Sequence, residues 1–356
     1  MRRVLAGAAA IVGGALLVAG CSSSSSSSST AAGGSSPASS AAASSGGASS
    51  AAAAPVTVRL GYLANITHAP ALIGVKDGYF TKELGSAGSV KTTVFTSGTQ
   101  ETTAILAGQL DAAYVGPNPA INAWQKSSGA AIKIISGVAT GGASVVVKPS
   151  VTAASQLKGQ SLASPSLGNT QDVALRYWLK QNGLATSTTG TGDVSIRPTT
   201  TNSAAVLEFK SGQIVGASEP SPYDVEMVQD GGKVLLSEPG VTTVLVVTQS
   251  FLSAHPGVVA DLLKANLDAL NFIKSNPAQA QTDANAQLGA YTGKPLSSKV
   301  IGPAFKEITF TDNPDAASLT QDAQEAVSVG LLKPVNLSGI FDLTPLNGID
   351  PTVSAG

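Results

Sequence analysis

The chain has 356 residues, 43% of them apolar and only 12% charged, with 21 Lys and Arg against 22 Asp and Glu and a formal charge of −1. So neutral a chain lacks the basic surface that nucleic-acid binding needs. One Cys and two His exclude disulfide frameworks and Cys/His metal sites by count, and the length suits two domains better than one.

In chain order, Met1 to Cys21 opens with Arg2 and Arg3 and continues as an unbroken run of apolar and small residues from Val4 to Gly20. That pattern reads as a secretory signal peptide. Its end, Val18-Ala19-Gly20-Cys21, resembles the bacterial lipobox, in which cleavage exposes a cysteine that carries lipid. Cys21 is therefore the expected lipid attachment residue. Residues 22–55 are mainly Ser, Ala and Gly, with no charge and no aromatic side chain. They cannot bury enough surface to offset the entropy of ordering, so they are read as a tether. The protein is expected to be exported and held by lipid at the outer face of the membrane.

From residue 56 onward strands and helices alternate. Val56–Leu63 alternates apolar positions and predicts a strand, followed by a helix over 71–79, a strand over 90–95 and a helix over 99–110. Residues 112–115 form a short apolar run ending at Gly116-Pro117, and 132–135 and 145–147 read as further strands. A second cycle gives a strand at 161–163 and a helix at 172–182. In that helix Ala174, Leu175, Trp178 and Leu179 share one face, while Arg176 and Lys180 point elsewhere. A helix at 204–210 leads to strands at 214–218, 234–237 and 244–248. Val259, Leu262, Leu263, Leu267, Leu270 and Ile273 line one face of a long helix ending before Pro277, and 321–329 is a final helix. The alternation predicts an α/β fold with mostly parallel sheets.

Catalytic signatures are missing. The chain has no G-x-S-x-G or G-x-G-x-x-G, and Gly289–Lys294 falls one residue short of a phosphate-binding loop before Pro295. His68 and His255 have no acid nearby in sequence to orient them, and His255 beside Pro256 suits a helix start. Glu219, Asp224 and Glu226 cluster; the last two read as a charged loop face. No catalytic residue, metal or cofactor is expected.

Four neutral polar segments stand out instead, each between a strand and a helix: Asn65-Ile-Thr-His68, Ser97-Gly-Thr-Gln100, Gly116-Pro-Asn-Pro119 and Leu167-Gly-Asn-Thr-Gln171. In open α/β sheets ligands bind at the carboxyl ends of strands. Helix N-termini there offer unpaired N–H groups and about half a positive charge, which suits an oxyanion without Lys or Arg. Ser97, Thr99, Asn169 and Thr170 could add side-chain donors. The same residues are also ordinary helix caps, and only convergence on one cleft separates the two readings.

With Gly61-Tyr62, Asn65-Ile-Thr-His-Ala-Pro70, Gly78-Tyr-Phe80, Ala107-Gly-Gln-Leu-Asp111, Val115-Gly-Pro-Asn-Pro-Ala120, Leu167-Gly-Asn-Thr-Gln-Asp172 and Glu219-Pro220, the chain resembles the solute-binding components of ABC importers, in the sulfonate, taurine and nitrate branch. The resemblance implies a two-lobed type II periplasmic-binding-protein fold, each lobe a mostly parallel sheet flanked by helices, joined by two crossover strands. Lobe I would be 56–146 plus 243–349, lobe II 147–242, and 350–356 a tail. The implied ligand contacts are Asn65, His68, Ser97, Gly98, Thr99, Pro117 and Asn118 from lobe I, with Gly168, Asn169, Thr170 and Glu219 from lobe II. The implied partners are a small sulfonate-class anion or zwitterion and the permease and ATPase subunits of an importer, with the protein itself a monomer. Nitrate or a thiamine-pyrimidine precursor is the alternative ligand, and a surface adhesion lipoprotein the alternative role. A related enzymatic branch carries a Cys-rich motif, and residues 56–356 contain no Cys. The family often has an aromatic residue after the Glu-Pro pair, where this chain has Ser221-Pro222.

Overall fold

A computed structural model describes residues 54–354; the expected signal peptide, Cys21 and nearly all of the tether lie outside them. The elements run in the order β1 (Val56–Leu63), α1 (Ala69–Lys76), α2 (Tyr79–Leu84), β2 (Gly88–Phe95), α3 (Gly98–Leu106), β3 (Ala112–Val115), α4 (Pro117–Lys126), β4 (Ile132–Gly141) and β5 (Ala143–Val147). There follow β6 (Ser161–Ser164), α5 (Thr170–Gln181), β7 (Ser195–Pro198), α6 (Asn202–Ser211), β8 (Gly216–Pro220), α7 (Tyr223–Gln229), β9 (Lys233–Ser237) and β10 (Val241–Thr248). The chain ends with α8 (Gln249–Ala254), α9 (Pro256–Ser275), α10 (Pro277–Thr292), α11 (Ser298–Lys306), β11 (Ile308–Phe310), α12 (Ala316–Ser328) and α13 (Thr344–Asn347).

Two sheets organise the body. The first has the order β11-β4-β10-β3-β1-β2 and the second β7-β6-β8-β5-β9. Central strands β3, β5 and β10 are apolar and buried along nearly their whole length, whereas edge strand β2 alternates half-buried and exposed residues. The sheets are mixed rather than mostly parallel. β1 runs parallel to β2 and β3, and β6 to β7 and β8. The strands that carry the chain between sheets, β4, β5 and β10, pair antiparallel.

The first crossing lies at Gly141-Gly142, both at positive φ (70° and 71°). A Cβ on Gly142 would sit 2.2 Å from Ile308 Cγ1 and one on Gly141 2.6 Å from the Glu307 carbonyl oxygen. Only glycine passes there. The return runs through Glu238-Pro239-Gly240. Ala143–Val146, assigned by sequence to lobe I, therefore pair in the second sheet, while Val241 and Thr242, assigned to lobe II, belong to the first. The apolar run at 145–147 carries no mark of where the chain changes sheets; the glycine pair does.

Each sheet has its own core. Around the first, α9 buries Val259, Leu262, Leu263 and Ile273. The second packs Leu162, Leu175 and Leu179 on one face and Ala205, Phe209 and Met227 on the other. One long helix, α10, is absent from the sequence reading, and another, α4, is implied there without bounds. α10 has almost no large apolar residue and packs through Ala280, Ala284 and Leu288, so it shows little amphipathic stripe. α4 begins Pro-Asn-Pro, which reads as a turn, although proline suits the first helical position.

Candidate ligand-binding site between the lobes

The carboxyl ends of β1, β2 and β3 in the first lobe face those of β6 and β8 in the second. Leu63, Asn65, Thr67, His68, Ser97, Gly98 and Gly116 line one side of the gap, and Asn169, Thr170, Gln171, Asn202 and Pro220 the other. The free space is about 20 Å³, room for a single water. Contacts between the lobes close its rim: Ile66 N–H donates to the Ser221 carbonyl (2.9 Å), Tyr223 OH to the Ala64 carbonyl (2.9 Å), and Thr99 Oγ1 lies 3.1 Å from Ser166 Oγ. Tyr223 thus supplies an aromatic residue two positions after Ser221.

Local sequence builds each wall. Ser97 caps α3, its hydroxyl accepting from Gln100 N–H, and Asn169 caps α5, its Oδ1 accepting from Asp172 N–H at 2.9 Å. The first backbone N–H groups of α3 and α5 have no intrahelical acceptor and stand at the gap with about half a positive charge at each helix end. Gly98 is required by close packing, since a Cβ would lie 2.8 Å from Pro119 Cγ. At Gly116 a Cβ would lie 2.7 Å from Thr170 Oγ1, so the lobes meet there backbone to side chain. The loop before α5 is drawn tight by Asp172, which accepts from Ser164 Oγ (2.8 Å), Gly168 N–H (2.9 Å) and Arg176 Nε (2.9 Å). Arg176, expected to point away from the apolar face, is fully buried with Asp172. Its guanidinium is retained in the core because the loop supplies a paired carboxylate.

Among the described residues, no Lys, Arg, Asp or Glu lines the gap. His68 is fully buried, and burial pushes its imidazole down to about 3, so the ring is neutral. Leu63 N–H donates to His68 Nδ1 (3.2 Å), which leaves Nε2 as the protonated nitrogen. The gap is thus an uncharged shell of N–H, hydroxyl and amide groups. Two oxygens buried beside it, Thr170 Oγ1 and Asn202 Oδ1, have no hydrogen-bond partner.

Of the eleven contacts expected from sequence, Asn65, His68, Ser97, Gly98, Asn169 and Thr170 line this gap, while Thr99 bridges the lobes at its rim. Pro117, Asn118, Gly168 and Glu219 do not line it. Asn118 turns its amide toward α12, donating to the Asp322 carbonyl (3.1 Å). Gly168 is committed to Asp172. Glu219 lies fully buried on β8 with both carboxylate oxygens unpartnered, and burial, with Asp224 and Glu238 nearby, raises its pKa well above the usual range. Asp224, read as part of a charged loop face, is instead buried and accepts from Ser144 Oγ (2.7 Å) and Ser221 Oγ (2.8 Å). Sequence reasoning missed Asn202 and Thr242 and did not single out Thr67 and Gln171 within the segments it recognised; all four line the gap. The signal for Asn202 was present: Thr201 caps α6 after β7, the same strand-to-helix pattern as the four segments recognised.

The curated taurine-binding periplasmic protein of Escherichia coli K12 is 26% identical over 270 residues, covering 72% of this chain and 80% of that protein. The alkanesulfonate-binding protein SsuA of Xanthomonas axonopodis, solved with bound MOPS, superposes with a TM-score of 0.68 at 16% identity over 82% of this chain and 99% of that one. The periplasmic nitrate-binding protein NrtA of Synechocystis superposes with a TM-score of 0.71 at 15% identity over 85% and 90%. These similarities establish the periplasmic-binding-protein fold. Residues 51–288 match the NMT1-like family, and the chain belongs to that family.

Proposed function

We propose that this protein is the extracytoplasmic solute-binding subunit of an ABC importer, lipid-anchored through Cys21, that captures a small sulfonate or taurine-like anion between its lobes and delivers it to a permease. The observation that supports this reading most is the convergence of capped helix N-termini from both lobes, α3 on one side and α5 and α6 on the other, on one uncharged gap. Such a shell solvates an oxyanion by oriented dipoles and N–H donors rather than by a countercharge. The taurine-binding relative points to the same ligand class.

The mechanism is equilibrium capture. An anion larger than one water requires the lobes to part, and closure is favoured only when ligand bridges donors of both lobes. A Kd of about 1 μM corresponds to about 8 kcal/mol, within reach of a handful of charge-assisted hydrogen bonds at about 1.5–3 kcal/mol each. Ligand-stripped full-length protein screened by thermal shift against alkanesulfonates, taurine, nitrate and thiamine pyrimidines tests the reading. Ligand at about a hundred times Kd adds about 2.7 kcal/mol of stability. Stabilisation by sulfonates is expected; stabilisation by nitrate or a pyrimidine alone would replace the sulfonate assignment, and none across the panel would overturn it.

A further inference from the structure

Two side-chain amides, Asn65 and Gln171, line the gap from opposite lobes and are 2% and 6% exposed. Each has its carbonyl oxygen taken by a neighbour two residues away. Thr67 Oγ1 donates to Asn65 Oδ1 at 2.8 Å, and Asn169 Nδ2 donates to Gln171 Oε1 at 2.9 Å. An amide held by its oxygen keeps its NH2 group for another acceptor.

In the second lobe that sense is fixed by the backbone. Asp172 N–H donates to Asn169 Oδ1 (2.9 Å) as the cap of α5, and a backbone N–H can only donate. Asn169 therefore presents Nδ2 to Gln171, and Gln171 accepts through Oε1. Reversing the Gln171 amide would set one NH2 group against another in a buried site, where an unpaired donor is costly. Asp172 is itself held by Ser164 Oγ, Gly168 N–H and Arg176 Nε, so the series of bonds starts from a tightly drawn loop. It ends on Gln171 Nε2, which has no acceptor among the described residues.

We infer that Gln171, rather than Asn169, is the ligand-contacting amide of the second lobe, and that Asn169 is the positioning residue that holds it in the donating sense. The inference rests on the oxyanion reading of the gap. With Asn65 on the other wall, Gln171 completes a pair of amide donors, one from each lobe. Two like donors have no attraction for each other, so an acceptor between them is what draws the walls together. An anion that accepts from both supplies it without any Lys or Arg.

Calorimetric titration of full-length, ligand-stripped protein with ethanesulfonate, taurine and nitrate supplies the anion for the test. Gln171→Met keeps the length of the side chain and removes the donor. Affinity for the anion that binds wild-type protein most tightly should fall about tenfold or more. Asn169→Ser keeps a capping oxygen for α5 and removes the bond to Gln171; with a cooperative melt retained, affinity should fall about threefold or more. The two losses should not add: in Gln171→Met protein, Asn169→Ser should change affinity by less than about twofold. Additive losses would place Asn169 itself on the ligand and overturn the assignment, as would wild-type affinity in Gln171→Met. Because any of the three anions serves, binding of nitrate alone would refute the sulfonate reading and leave this test intact, whereas binding of none would overturn both.

Discussion

A methyl group added at Gly116 would press against the opposite lobe. Gly116 has φ −66° and ψ 153°, which alanine adopts without strain, so Gly116→Ala carries no backbone penalty. Its Cβ would lie 2.7 Å from Thr170 Oγ1 of the opposite lobe, with Pro119 Cδ and the Thr242 carbonyl at ordinary contact distances of 3.6 and 3.7 Å. The cost therefore arises where the lobes meet and is relieved when they part. Overpacking by one methyl typically costs about 1–3 kcal/mol, which at about 1.4 kcal/mol per decade weakens ligand binding about 5- to 150-fold. Calorimetric titration with the sulfonate that best stabilises wild-type protein measures this. In a double-mutant cycle, Thr170→Ala removes the clashing hydroxyl and should recover most of the loss caused by Gly116→Ala. Wild-type affinity in Gly116→Ala, or the same loss whether or not Thr170→Ala is also present, would refute the view that these two residues meet in the ligand-bound state.

Three further outcomes follow from buried charge. Asp172→Ala strands the buried Arg176 guanidinium and removes the acceptor for Gly168 N–H and Ser164 Oγ; urea denaturation should show a loss of about 3–5 kcal/mol, and a loss under about 1 kcal/mol would contradict the pairing. Glu101 is fully buried with neither oxygen paired, and burial raises its pKa well above the usual range. Its raised folded pKa means stability is lost as pH climbs above the unfolded carboxylate range, by at most about 1.4 kcal/mol per unit. Glu101→Gln should therefore stabilise the protein more at pH 8 than at pH 5, as read by paired urea melts; equal effects would contradict it. His68 acts in the opposite sense. With its pKa lowered to about 3 by burial, its contribution is complete above about pH 6.5 and fades at up to about 1.4 kcal/mol per unit as pH falls toward 3. His68→Gln should flatten that acid limb, and an unchanged acid limb would show that the imidazole is not buried as a neutral ring.

The resemblance carried over from residue motifs named six of the residues that line the gap, and local pattern alone bounded β1 and β3. Polar strand-to-helix segments are local signals: Ser97 and Asn169 cap the helices that follow them whatever the rest of the chain does. α10 escaped because it packs through alanines and shows little periodic signal, whereas α4 is amphipathic and only its Pro-Asn-Pro start hides its bounds.

What the amino-acid order determined by itself was therefore where several helices start, which segments are polar, and that the four segments themselves hold no Lys, Arg, Asp or Glu. Tertiary structure decided which way those groups face. Asn118 and Asn169 both lie in polar segments between a strand and a helix, yet one turns into α12 and the other lines the gap. Arg176, expected to point away from the apolar face, and Asp224, read as part of a charged loop face, are buried. The physical reason is range. Capping and alternation are settled within a few residues, whereas the direction of a side chain at a lobe boundary depends on partners such as Asp322, Asp172 or Thr242, which sequence separation leaves unspecified and long-range packing alone supplies.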